Sequence, residues 1–124
     1  MKIIFVTAAL LLACAQPDSM PAAASVPIEL QNLMPALRAD AARRSGSAAE
    51  RIDVIALDEV TWPDGGLGCA PPGHAVTMAL VPGWRLVLGA AGGAPQHYHL
   101  SRRGGWVWCP TERSRLPPSG PQRQ

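Results

Sequence analysis

The chain is poor in most of the residues that announce chemistry. Among its 124 residues it has one tyrosine, one phenylalanine, three cysteines and three histidines. Lys2 is its only lysine. Charged residues make up 16% and the formal net charge is +2. A nucleic-acid partner calls for clustered cations that displace counterions, and none are present, so that class is excluded. There is no G-x-S-x-G elbow, no phosphate-binding glycine loop and no H-E-x-x-H pair. This removes the commonest serine, nucleotide and zinc-peptidase chemistries from consideration, and no cofactor is implied. No apolar run approaches the roughly 20 residues that a membrane-spanning helix needs. Large apolar side chains are few and alanine is abundant, so four tryptophans carry much of the core-forming mass. A chain this short has room for one domain, and a covalent staple would help it hold together.

The first segment reads as an export signal. Lys2 supplies a positive start, and Ile3 to Ala13 forms an apolar run of the length used by signal peptides. Leu11-Leu12-Ala13-Cys14 resembles the bacterial lipobox, which implies cleavage before Cys14, lipidation of its sulfur and acylation of the new amino group. Several acyl chains together give stable membrane attachment. Ala15, in place of the aspartate common in lipoproteins kept at the inner membrane, points to the outer membrane of a Gram-negative host. The rival reading is an ordinary secretory signal cut after Ala15; both readings export the protein. Residues 1–13 are thus a predicted lipoprotein signal peptide, and 14–31 a lipidated cysteine with an Ala/Pro/Ser-rich tether. The expected location is the cell envelope, lipid-anchored and facing the periplasm.

With Cys14 acylated, Cys69 and Cys109 remain as a pair for an oxidising compartment. Closing a loop of about 41 residues would contribute roughly 4 kcal/mol on the chain-entropy account. The alternative is a reactive or metal-binding thiol, for which no C-x-x-C spacing speaks.

The predicted domain covers residues 32–110. Asn32 can cap a helix over 33–44 with Pro35 in its first turn, and Leu33, Leu37 and Ala41 form one apolar stripe. Ser45-Gly46 stops it, and Arg43 and Arg44 read as a solvated helix end. Residues 52–62 read as a strand with Ile52, Val54, Ala56, Val60 and Trp62 on one face and Asp58 as an interruption, either a bulge or the strand's edge. A Pro/Gly loop follows over 63–73. Residues 75–81 read as a strand that turns at Pro82-Gly83 into Trp84–Leu88, the most evident hairpin of the chain. Short strands over 96–101 and 106–109 complete the set, and 111–124 reads as a disordered tail. The predicted fold is α+β: one N-terminal helix packed on a curved antiparallel sheet of about four to five strands, with one disulfide.

Trp62-Pro63-Asp64-Gly65-Gly66-Leu67-Gly68-Cys69-Ala70-Pro71-Pro72-Gly73 carries the pattern W-x-D-x-x-L-G-C-x-x-P-G. Pro82-Gly83-Trp84-Arg85, Tyr98-His99 and Cys109 follow it. Together they resemble a functionally uncharacterised family of small secreted or lipid-anchored bacterial proteins, over roughly residues 35–110. The resemblance implies the domain limits and the cysteine pair but no reaction. This chain departs from the pattern at Gln96, where a second aromatic is common.

Candidate binding residues are Trp62, Asp64, Gly68, His74, Tyr98 and His99. His97 and His99 lie two apart on a strand and point to one face, where zinc or copper could bind with His74 or Asp64 completing the set; the simpler reading is a polar strand face with a hydrogen-bonded histidine. Asp64 reads foremost as an Asx-turn closing on Gly65 or Gly66. The tryptophans are core first and groove second. No catalytic residues are assigned. Three functions remain: a non-catalytic envelope module binding a protein or small ligand, a proteinase inhibitor presenting loop 63–73, and a metal-binding protein or enzyme built on His97 and His99.

Overall fold

A computed structural model describes residues 26–117. Cys14, the signal segment and the end of the chain lie outside the described residues, so the anchoring expectation is not addressed by them. Among the described residues, no helix is long and apolar enough to cross a membrane.

The chain opens with a single helical turn, α1 (Ile28–Gln31), followed by α2 (Met34–Ser45). Asn32 ends α1 instead of capping α2, whose first turn carries Pro35 and no side-chain cap. Gly46, at φ 70°, terminates α2 in the left-handed region where a missing Cβ removes the steric penalty. Leu37 and Ala41 of the apolar stripe are fully buried, and so is Leu30 of α1. The domain therefore begins before residue 32, because Leu30 belongs to the core.

Four strands follow: β1 (Asp53–Trp62), β2 (Val81–Gly89), β3 (Gln96–Ser101) and β4 (Trp106–Cys109). They form one antiparallel sheet in the order β1-β2-β3-β4. The α+β expectation, with its helix, antiparallel sheet and disulfide, is the fold observed.

The hairpin at Pro82-Gly83 is not there. Residues 75–80 form no strand, and β2 runs straight through both residues, pairing Pro82 with Thr61 and Gly83 with Val60. Gly83 is required by a close approach: a Cβ there would meet the Leu100 carbonyl oxygen at 1.8 Å. Pro82 is tolerated near the start of the strand, where a missing N–H costs the ladder least. The connection from β1 to β2 is the whole segment 63–80.

Alternation along β1 shifts phase at an irregularity between Val54 and Ala56, not at Asp58. Val54 and Leu57 thus face α2 beside Leu88 and Leu86. Ala56, Asp58, Val60 and Trp62 face the other way, so the single face read from sequence mixes two. The helix side of the sheet holds Trp84, Leu86, Leu88, Tyr98 and Leu100, all buried. Arg85, His97 and His99 lie on the second side.

Candidate functional site

The second side of the sheet is where most sequence-predicted residues meet. Trp62, the last residue of β1, stacks on His99, with ring centroids 4.1 Å apart and planes 15° from parallel. Its indole N–H donates to the Leu100 carbonyl at 3.0 Å. Both rings are fully buried.

The loop after Trp62 closes over this stack. The Asp64 carboxylate accepts the Gly66 N–H at 2.8 Å and the Gly68 N–H at 3.3 Å. This is the Asx-type turn expected of Asp64, closing on Gly66 of the two glycines and reaching Gly68 as well. Leu67 takes φ 56°, a left-handed conformation rare for a branched side chain, and its side chain is buried. Its carbonyl accepts Nδ1–H of His99 at 2.7 Å. Gly68, at φ 64°, lies against the indole, and a Cβ there would stand 3.0 Å from Trp62 Cε3. Cys69 then bonds Cys109 of β4, with Cα atoms 5.8 Å apart.

The C-terminal segment completes the lid. Ser114 is buried, its N–H donates to the Pro110 carbonyl, and its hydroxyl lies 3.0 Å from His99 Nε2. With Nδ1 protonated, Nε2 is the acceptor and Ser114 the donor. Residue 114 thus belongs to the domain instead of a disordered tail. Arg85 reaches the same hydroxyl at 3.4 Å, donates to His97 Nδ1 at 3.2 Å and pairs with Asp58 at 3.5 Å. Asp58 is therefore no interruption of β1 but one end of a polar row. Burial, partly offset by the Leu67 hydrogen bond and reinforced by Arg85, holds His99 below its ordinary value. Burial and Arg85 do the same to His97.

His97 and His99 share a face as expected, but Arg85 occupies one ring nitrogen of His97, while Leu67 and Ser114 occupy both of His99. His74 is exposed on the loop, and Asp64 turns one carboxylate oxygen to backbone N–H groups of its own loop. Neither joins the histidines. Among the described residues, the group with metal-ligand spacing is Cys69, His99 and Cys109, whose donor atoms lie within 4.8 Å of one another.

Tyr98 points to the opposite side. Its hydroxyl donates to Asp40 of α2 at 2.7 Å. Asp40 also accepts from Arg44 at 2.7 Å and Arg43 at 3.3 Å. Burial raises the Asp40 carboxyl, but the Tyr98 hydroxyl and the two guanidinium groups outweigh it and keep it below its usual value. Burial and the Asp40 charge push Tyr98 far above the ordinary phenol range. Arg44 also lies 4.0 Å over the Trp108 ring, so the presumed solvated helix end ties α2 to β4. Gln96, in place of the aromatic, accepts the Trp108 indole N–H at 2.9 Å. No tryptophan is exposed: Trp62 and Trp84 are buried, Trp106 and Trp108 half-buried against the core.

Leu67, Arg85, Asp40 and Ser114 were not singled out from sequence. The only advance signal was for Leu67 and Arg85, which sit inside the recognised pattern.

Of the exposed large apolar residues, Ile28, Ile55, Val107 and Leu116 are spread over α1, β1, β4 and the C-terminal segment, and two lie close together in sequence before β2. Met78 is 85% and Leu80 46% exposed. Next to them Ala79, Leu80, Val81 and Pro82 line a cavity of about 290 Å³ together with Arg102 and Arg103. Arg102 pairs with Glu59, while Arg103 is exposed.

A helix across a four-stranded antiparallel sheet, whose far side is closed by a disulfide-fastened loop around a stacked Trp–His pair, defines a small stapled α+β domain. The chain belongs to the family described as a domain of unknown function, DUF8738, whose family model matches residues 34–109. No curated protein and no solved structure matches it.

Proposed function

We propose that the chain is a bacterial cell-envelope lipoprotein, exported and anchored through Cys14, whose domain is a non-catalytic binding module for an envelope protein or small ligand. The observation that carries this reading is that the residues of the recognised pattern are spent on each other. Trp62, Leu67, Cys69, His99 and Cys109 are buried, both ring nitrogens of His99 have partners, and one carboxylate oxygen of Asp64 is held by two backbone N–H groups. Catalysis needs a reactive group within reach of substrate, and among the described residues the thiols and His99 of this cluster are buried and engaged with each other or with the lid. A surface available for contact is the loop around Met78 and Leu80, where two exposed apolar side chains adjoin a cavity and Arg103. Large exposed apolar side chains beside a cation are the usual composition of a contact surface.

The inhibitor reading has less support, because the side chains of Leu67 and Cys69 at the centre of its presenting loop are buried, and its exposed residues are prolines and glycines: Pro63, Gly65, Gly68 and Pro71 to Gly73. The His97/His99 metal reading has less support for the reasons of geometry given above.

Two measurements test the proposal. Mass spectrometry of protein from its native host should find a triacylated Cys14 N-terminus, and Cys14→Ala should move the protein out of the membrane fraction. Photo-crosslinking from position 78 in intact cells should give a discrete adduct that Leu80→Ser with Arg103→Ser abolishes. An unacylated mature chain, or the same adducts from that double variant, would overturn the respective half of the reading.

A further inference from the structure

Beyond the binding-module reading, we propose that Cys69, Cys109 and His99 form a metal site masked by its own disulfide: when the bond is reduced, the two thiolates and the imidazole take one zinc(II) ion.

Three observations carry it. First, the donors are already gathered. The two sulfurs and an imidazole nitrogen lie within 4.8 Å of one another while the sulfurs are still bonded. Zinc–sulfur distances of about 2.3 Å and zinc–nitrogen distances of about 2.0 Å place ligand atoms about 3.5 Å apart. Opening the bond separates the sulfurs toward that spacing, so little backbone movement is asked for.

Second, the imidazole is held as metal-bound histidines are held. One ring N–H donates to the Leu67 carbonyl, which fixes the ring and its tautomer. The Trp62 indole, stacked at 4.1 Å, holds its plane. The other nitrogen keeps a lone pair, now directed at the Ser114 hydroxyl 3.0 Å away.

Third, the place is dry and soft. Cys69 is 6%, Cys109 1% and His99 0% exposed. Two thiolates could not sit there uncompensated, and zinc, by neutralising both, removes that cost. Arg85 is the cation close by, and Asp58 balances it at 3.5 Å.

The chemistry balances with a phosphine as reductant. The phosphine and one water open the disulfide to two thiols and leave the phosphine oxide. Zinc then binds with release of both thiol protons.

The test uses the lipidated full-length protein in its oxidised and phosphine-reduced forms, with cobalt(II) as a coloured stand-in for zinc. Reduced wild type should take up one cobalt, with a thiolate-to-metal charge-transfer band and the strong visible absorption of tetrahedral cobalt. Zinc should bleach both, and the oxidised form should show neither. His99→Asn retains an N–H donor for Leu67; its disulfide, formed before reduction, reports that it folds. Reduced, it should bind zinc more than about 10-fold more weakly, exceeding the loss from removing only an outer partner at its smallest. Near-UV circular dichroism of the stacked indole in the reduced protein should be restored or retained on adding zinc. No stoichiometric uptake by reduced wild type, equal binding and spectra for His99→Asn, or a reduced chain that zinc leaves without a native indole signal would each overturn the proposal. None of these outcomes bears on Cys14 or on the surface around Met78, so failure here is separable from failure of the binding-module reading.

Discussion

Gly68 sits where a methyl group has no room and where its backbone would punish one. A Cβ would stand 3.0 and 3.3 Å from two carbons of the Trp62 ring, at φ 64°. The indole cannot yield, because it is stacked on His99 and its N–H is bonded to the Leu100 carbonyl. Gly68→Ala should therefore combine left-handed strain with overpacking and cost about 2–4 kcal/mol. Gly73 makes the control. It has φ 84° but nothing within 4 Å of a Cβ, so Gly73→Ala should cost about 1 kcal/mol. Urea unfolding of both variants checks the difference; equal midpoints would mean that the indole is not the obstacle. His99 gives a second expectation at this scale. Its neutral form is the one folded into the cluster, so its pKa is lower folded than unfolded. The unfolded chain then binds more protons near and below the ordinary histidine value of 6.5. Stability from His99 is complete above that value and is lost as pH falls below it, toward the depressed folded pKa. His97 is shifted in the same direction and adds to the slope. Unfolding free energies measured from pH 8 to pH 5 should fall, and the fall should be shallower in His99→Asn.

Elements were legible where the local pattern and the tertiary structure ask for the same thing. α2 occupies Met34–Ser45 against an expected 33–44, because its apolar stripe and its Gly46 stop are local facts. β3 and β4 fall where the alternation put them. Pro82-Gly83 shows the limit. In isolation this pair favours a turn, but pairing with Val60 and Thr61 on β1 and the close approach of Leu100 make it strand. That information is stored in β1 upstream and at Leu100 downstream, and no local reading contains it. The candidate site was legible in its members and not in its meaning. Trp62, Asp64, Gly68, His99 and both cysteines do converge, yet Tyr98 lies on the opposite side and His74 stands apart. Ser114 was invisible, since nothing in a Pro/Arg/Ser stretch marks one serine for burial. The docking of α2 on the sheet can be tested through Tyr98 and Asp40. Their 2.7 Å hydrogen bond is buried and charge-assisted, so Tyr98→Phe should cost about 1.5–3 kcal/mol. A double-mutant cycle with Asp40→Asn should show coupling above about 0.5 kcal/mol. Additivity would mean that Arg43 and Arg44 alone hold Asp40.

At the scale of the molecule, one side of the sheet is covered by helix and the other by loop and C-terminal segment, and the second cover is mostly held by chemistry instead of apolar area. Its fasteners are the disulfide, the His99 contacts to Leu67 and Ser114, and Arg85. Apolar burial is non-directional and tolerates small shifts, whereas a hydrogen-bonded lid fails when one partner is removed and a buried group is left alone. The prediction concerns the end of the chain. Ser114→Ala takes away the hydroxyl from His99 Nε2 and from Arg85, and should cost about 1–3 kcal/mol. Ending the chain after Pro110 removes the same hydroxyl but also opens the site to water, which can then solvate Nε2. If hydrogen-bond satisfaction is what Ser114 supplies, truncation should be no more destabilising than the point substitution. It should, however, raise the His99 pKa toward its ordinary value, because burial is the largest cause of its depression. Thermal unfolding compares the two stabilities, and NMR titration of the His99 ring reads the pKa. A truncated chain much less stable than Ser114→Ala, with the His99 pKa unmoved, would mean that the segment acts through packing and that the lid is held by area after all.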